Sequence, residues 1–240
     1  MKTMRFISST IAASLLIGWA AQAADTATVT GKVNFDGTAP KQKTLKTDAD
    51  PQCQAMHADA PLKSEEVIVN ENGTLLNVFV YVKSGLPAGK TYEKPSTPVV
   101  IDQKGCQYHP HVFGMQAGQM LVIKNSDDTL HNIHALPNNN DEFNKGQPSG
   151  SADMKKTFTK PEVMVKFKCD VHPWMSAYVG VLDNPFYSVT GTDGTFSLKN
   201  LPAGEYEIVA WHEKYGEQTA KVKVGDGEAK TQDFKFAKSE

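Results

Sequence analysis

Lys166-Phe167-Lys168-Cys169-Asp170-Val171-His172-Pro173-Trp174-Met175 begins as an alternating polar and apolar strand and ends as a loop carrying a thiol, an imidazole and a thioether. The alternation gives a β-strand with one buried face. The loop gives donors of the kind copper uses: a mononuclear blue-copper centre takes one thiolate and two imidazoles near a trigonal plane, with a long, weak axial sulfur from Met. Cys169, His172 and Met175 supply three of these four donors. One loop cannot surround an ion, so the second imidazole has to come from a strand distant in sequence and adjacent in space.

Lys124-Asn125-Ser126-Asp127-Asp128-Thr129-Leu130-His131-Asn132-Ile133-His134 follows the apolar run Gln119 to Ile123 and offers His131 as that donor. Taken singly, each ligand has a plainer reading: Cys169 as a small buried apolar residue, Met175 as core, His131 as a loop residue. A zinc site of Cys and His ligands is the competing assembly, with His134 in place of Met175. His131 and His134 are three apart, and on a strand such residues point to opposite faces.

The rest of the chain also reads as strands. Alternating or β-branched runs lie at 27–35, 66–70, 75–83, 98–103, 119–124, 155–158, 163–169, 177–182, 195–198, 205–211 and 218–224. Turn pairs such as Asp36-Gly37, Asn72-Gly73, Asp193-Gly194 and Asp226-Gly227 separate many of them, the pattern of an all-β sandwich. Leu136 to Ser151, rich in Asn with Pro137, Pro148 and Gly150, reads as a long irregular connection. It is either a solvated loop or a cover over the metal site.

Residues 1–23 have the form of a cleaved signal peptide: Lys2 and Arg5, an apolar run from Ile11 to Ala20, then Ala21-Gln22-Ala23. Export to the periplasm, with no membrane span after cleavage, is the expectation. Removing Lys2 and Arg5 leaves 23 basic against 27 acidic side chains. That balance argues against a nucleic-acid partner. Cys53, Cys106 and Cys169 make an odd count. If Cys169 is a metal thiolate, Cys53 and Cys106 are free to pair in an oxidising compartment; Cys106 buried and free is the other possibility.

Asp193-Gly194-Thr195-Phe196-Ser197-Leu198-Lys199-Asn200-Leu201-Pro202-Ala203-Gly204-Glu205-Tyr206 matches the D-x-G-x-F-x-L-x-x-L-P-x-G-x-Y run of carboxypeptidase-regulatory-like, or transthyretin-like, domains, which this part of the chain resembles. The opening strand of such domains, G-x-V-x-x-x-G, is matched far upstream at Gly31 to Gly37. The resemblance thus implies a discontinuous host sandwich, 24–97 plus 184–240, with a second domain at 98–183 inserted in one loop. A tandem of two domains is the alternative, and it leaves the Gly31 strand unpaired.

Residues 98–183 resemble the amicyanins, small periplasmic cupredoxins with a Greek-key β-sandwich. The likeness runs through Val99-Val100-Ile101, Tyr108-x-Pro110, Val112, Ala117-Gly118-Gln119, Asn125, His131-Asn132-Ile133-His134 and the short Cys169-x2-His172-Pro173-Trp174-Met175 loop. It implies one type 1 copper ion on His131, Cys169, His172 and Met175. It also implies that Asn132 fixes the ligand loops around the Cys169 sulfur. Electrons would pass through the edge of His172, protruding from an apolar patch of Leu130, Val171, Pro173 and Trp174, to a periplasmic dehydrogenase or a c-type cytochrome.

Two further classes are weighed against electron transfer. Catalysis lacks an orienting third residue, an oxyanion-hole motif or a second copper set, so no enzyme activity is expected. A non-catalytic envelope binding or assembly module, with copper stored, delivered or structural, is the alternative. Of the remaining histidines, His109 and His111 read as surface residues, with a second metal site as their other reading, and His212 as packing. A Cys53–Cys106 disulfide is expected to tie the inserted domain to its host.

Overall fold

The computed structural model describes residues 26–238; the expected signal segment at 1–23 lies outside them. It is an all-β structure of two sandwiches. Among the described residues no helix is long and apolar enough to cross a membrane.

Two strands come early, β1 (Ala27–Asp36) and β2 (Phe79–Ser84), with one short helix, α1 (Pro51–Met56), between them. Nine follow: β3 (Val99–Lys104), β4 (Gln107–His109), β5 (Val112–Gln116), β6 (Met120–Asn125), β7 (His131–Leu136), β8 (Phe143–Gln147), β9 (Met154–Thr157), β10 (Glu162–Lys168) and β11 (Ser176–Leu182). The last group is β12 (Tyr187–Val189), β13 (Thr195–Leu201), β14 (Gly204–His212), β15 (Gly216–Val224), β16 (Ala229–Thr231) and β17 (Phe234–Ala237).

β3 to β11 form two sheets of their own, in the orders β4-β3-β6-β9 and β5-β11-β10-β7-β8. Ile101, Leu121, Ile123, Ile133, Val165, Phe167 and Val179 are buried together between them. The first and last groups close on each other. β1 pairs antiparallel with β13, Val29 opposite Leu198, and parallel with β16 and β17. β2 lies between β12 and β14, with β15 beyond. Val29, Val33, Val80, Val82, Phe196, Ile208 and Phe236 fill this second core. The outer sandwich is therefore discontinuous in sequence, and the strand of Gly31 has partners on both sides.

A third cluster joins the two. Phe79 and Tyr81 of β2, with Val209 of β14, pack on Val112 of β5 and Leu182 at the end of β11. The contact is tight because Gly114 and Gly180 have no side chains: a Cβ at Gly180 would lie 2.3 Å from Phe79 Cζ, and one at Gly114 2.3 Å from Tyr187 Cε2.

Three expectations change. The 136–151 connection is not irregular throughout, since β8 lies within it and pairs along β7, His131 opposite Gln147. The strand expected at 66–70 reduces to an isolated bridge, Val69 to Leu75. Residues around α1, assigned to the host, pack instead on the inserted sandwich: His57 Nε2 meets Gly105 O at 2.9 Å, and Cys53 is bonded to Cys106.

Candidate metal centre

The turn between β6 and β7 is fixed before any ligand is placed. Asn125 Nδ2 donates to Thr129 O (2.9 Å) and Gln147 O (2.7 Å), and its Oδ1 accepts from Asp127 N (3.1 Å). This sets Asp127 inward, where it is buried. Its two oxygens take Gly105 N and Cys106 N, each at 2.7 Å, and Oδ2 also takes His131 Nε2 at 2.8 Å. His131, the first residue of β7, is fully buried.

β10 carries the chain from core residue Phe167 to Cys169, and the ligand loop then folds back on itself. Met175 N donates to His172 O (2.9 Å) and Cys169 N to Met175 O (3.3 Å). Cys169, His172 and Met175 are all buried, and Met175 belongs to the same apolar cluster as Cys169. Trp174 lies against His172, ring centroids 4.9 Å apart, and its indole N–H donates to Cys106 O (3.0 Å).

The two stretches meet. His131 Nδ1 lies 2.9 Å from His172 Nδ1, and His172 Nδ1 lies 3.7 Å from Cys169 Sγ. The ligand atoms of His131, Cys169 and His172 all fall within 4.8 Å of one another. Each imidazole gives its outer nitrogen to a carboxylate, His131 to Asp127 and His172 to Asp50 (3.2 Å). That pattern places the ring proton on Nε2 and turns the Nδ1 lone pairs inward, the tautomer a metal ligand needs.

The charges agree. Burial would lower the His131 pKa, but Asp127 and Cys169 hold it up at about 9. Burial would raise the Cys169 thiol, yet His131 and the backbone N–H groups of Asn132 and His172 pull it down. Burial, helped by the charge of His131, lowers His172 despite Asp50. The surroundings of Cys169 thus favour negative charge on its sulfur, as a metal thiolate requires. One soft thiolate, two borderline imidazoles and a buried thioether fit a copper ion better than a hard cation.

Asn132, next to His131, reaches the Cys169 loop and β8. Its backbone N–H points at Cys169 Sγ (3.5 Å), its side-chain oxygen accepts from Asp170 N, and its amide donates to Asn144. His134 stands apart, with Nδ1 3.0 Å from Asp170 and Nε2 2.7 Å from Glu142, so it does not replace Met175 in the donor set.

The expected electron-transfer edge is corrected. Leu130 and Val171 are 45% and 42% exposed, Pro173 is exposed and Trp174 half-buried, but His172 is not accessible at all. α1 covers it. Asp50 caps the helix, accepting Gln52 N (2.7 Å) and Cys53 N (3.0 Å) on Oδ1, while Oδ2 takes Thr129 Oγ1 (2.9 Å) and His172 Nε2. A helix of six residues has little stability of its own. The Cys53–Cys106 disulfide pins it, leaving Cys53 Sγ 3.9 Å from His172 Nε2. Cys169 is the free cysteine.

Sequence reasoning passed over Asp50 and Asp127. Asp127 stood in the quoted His131 motif, four residues before the ligand. Asp50-Pro51 is an N-cap followed by Pro at the first helical position, a start signal placing an acidic cap beside Cys53.

His111 is also corrected. His109 is exposed, but His111 is buried, donating through Nδ1 to Ser176 O (3.0 Å) and pairing through Nε2 with Glu213 (2.5 Å) of the β14–β15 turn. Burial alone would lower its pKa; Glu213 and Glu65 raise it. This contact bridges the two sandwiches next to the residue that follows Met175.

Residues 173–237 match the family model of the carboxypeptidase regulatory-like domain. The match takes in β11, which pairs within the inserted sandwich, and omits β1, which lies more than a hundred residues upstream. No curated protein matches the chain. Among solved structures, amicyanin from Paracoccus versutus is 21% identical over 42% of this chain and 96% of its own, with a TM-score of 0.32. A purple cupredoxin from Nitrosopumilus maritimus is 22% identical over 35% and 98%, TM-score 0.30. A copper-containing nitrite reductase from Thermus scotoductus is 20% identical over 42% of this chain, with a TM-score of 0.34, and the chain spans only 26% of its length. At such scores the fold rests on the sheet topology described above.

Proposed function

We propose that the inserted sandwich binds one type 1 copper ion through His131, Cys169, His172 and Met175 and carries single electrons between periplasmic redox proteins, without catalysis of its own. The observation that carries the reading is the meeting of two Nδ1 atoms and the Cys169 sulfur from strands far apart in sequence. Copper bound there supplies a one-electron couple.

The protein's residues do the rest. Asp127 and Asp50 orient the imidazoles, and the N–H groups of Asn132 and His172 (3.5 and 3.3 Å) stabilise the thiolate. All four donors are buried, which favours electron transfer over substrate chemistry. The disulfide suits the oxidising compartment that the signal-like segment implies. With His172 covered, electrons exchange across the Asp50 end of α1, beside Leu130, Val171 and Pro173, where a c-type cytochrome or a dehydrogenase would dock.

The covered imidazole also favours a second reading, an envelope module whose copper is stored, delivered or structural. Titration with Cu(II) separates them. An intense visible band that disappears in Cys169→Ser, with reversible one-electron voltammetry, is the expected result. A colourless or redox-silent copper form supports the second reading.

A further inference from the structure

The surroundings of the Cys53–Cys106 disulfide exceed what a crosslink requires. Two groups of potential ligands meet at it: Asp50, Cys53 and His172 bring their ligand atoms within 4.8 Å of one another, and Cys106, Asp127 and His131 do the same. The disulfide joins the two groups. Both involve the carboxylate side of the imidazoles, away from Cys169: His172 Nε2 lies 3.2 Å from Asp50 and 3.9 Å from Cys53 Sγ, and His131 Nε2 lies 2.8 Å from Asp127. Both cysteines are fully buried.

We infer that in the dithiol state this outer cluster is a second metal site, for a soft or borderline divalent ion such as Zn²⁺, with Cys53 and Cys106 as its thiolate donors and Asp50 and Asp127 as its carboxylates. Zinc accepts sulfur, oxygen and nitrogen donors of these kinds. In the disulfide the sulfurs have no ligand charge to offer, and the carboxylates are satisfied by N–H groups and the Thr129 hydroxyl. Reduction changes this. A thiolate of a dithiol reductant attacks one sulfur, the S–S bond breaks to a mixed disulfide, and the second reductant thiol displaces the remaining cysteine. The protein gains two electrons and two protons as two thiols, and the reductant leaves as its own disulfide. Metal binding then releases both protons. Two buried thiolates beside the buried Asp127 carboxylate need a cation to be stable. The oxidation state of one cysteine pair thus decides whether the outer set is available, whereas the inner set depends on Cys169. The inference does not require copper at the inner set.

The test uses full-length Cys169→Ser, so that the only thiols are Cys53 and Cys106, and Co²⁺ as the probe. The reduced variant is expected to bind a single equivalent of Co²⁺ with a thiolate-to-cobalt charge-transfer band. Zn²⁺ should displace it, and the disulfide form should show no band. Adding Cys53→Ser should abolish tight binding, and Asp50→Ala should weaken it roughly tenfold to a hundredfold. Three results overturn the inference: no band in the reduced variant, an equal band when the reduced chain is unfolded in urea, or loss of the β-sheet circular dichroism on reduction.

Discussion

Replacing both Cys53 and Cys106 by Ala removes a covalent link whose entropic contribution follows from the chain it closes. The linked residues are 53 apart in sequence. The chain-entropy relation for a loop of that length gives about 4 kcal/mol of stabilisation at 25 °C, drawn from the unfolded state. Urea unfolding of the metal-free protein, followed by tryptophan fluorescence and circular dichroism, should show a midpoint lower by roughly 1–2 M for a denaturant slope of about 2–3 kcal/mol per M. A second readout is local. The disulfide holds α1 over His172, so the Ala pair should leave this imidazole open to acylation by diethyl pyrocarbonate, whereas the wild type protects it. A loss below about 1 kcal/mol, together with unchanged protection of His172, would refute both the loop argument and the view of α1 as a pinned cover.

Asp127→Asn removes the partner that holds His131 up at about 9, and its metal-free titration, read by NMR, should move back toward the ordinary value of about 6.5. Because the folded pKa is the higher one, the stabilisation is complete below about pH 6.5 and is lost as pH rises through about 9; the variant should lose this slope, worth up to about 3 kcal/mol. Glu213→Gln should lower the raised titration of His111, and the wild-type protein should lose the stability of that pair as pH climbs past the ordinary histidine range. Gly180→Val would drive a side chain into Phe79 and should cost about 1–3 kcal/mol in thermal unfolding while both separate cores stay packed. Phe79→Ala at the same junction should cost about 3–5 kcal/mol, and a value near zero would show that the two sandwiches do not stabilise each other.

What the sequence showed and hid follows from the range of the interactions. The ligand loop is local, so the spacing of Cys169, His172 and Met175 carries its own meaning. The two halves of the host were legible because each keeps its own turn and strand residues, and β1 still finds β13 across the insertion. The cover over His172 left no comparable trace. The Asp50 to His172 contact spans 122 residues and exists only once α1 is docked. β8 was hidden for a different reason: Phe143-Asn144-Lys145-Gly146-Gln147 has no β-branched residue, and its strand form comes from pairing with β7. His109 and His111 look alike in sequence. Only the approach of Glu213 from the other sandwich separates an exposed imidazole from a buried, carboxylate-paired one.

The split host also sets an order of assembly. In N- to C-terminal order β1 and β2 emerge long before their partners, because Leu198 and Ile208 come only after the whole inserted sandwich. Their edges wait with unpaired backbone groups, the state most open to wrong pairing between chains. The inserted sandwich has all its strands in one continuous stretch and can fold first. It then presents Gly114 and Gly180 as a finished seat for Phe79, so β2 has a place to rest while the remaining strands arrive.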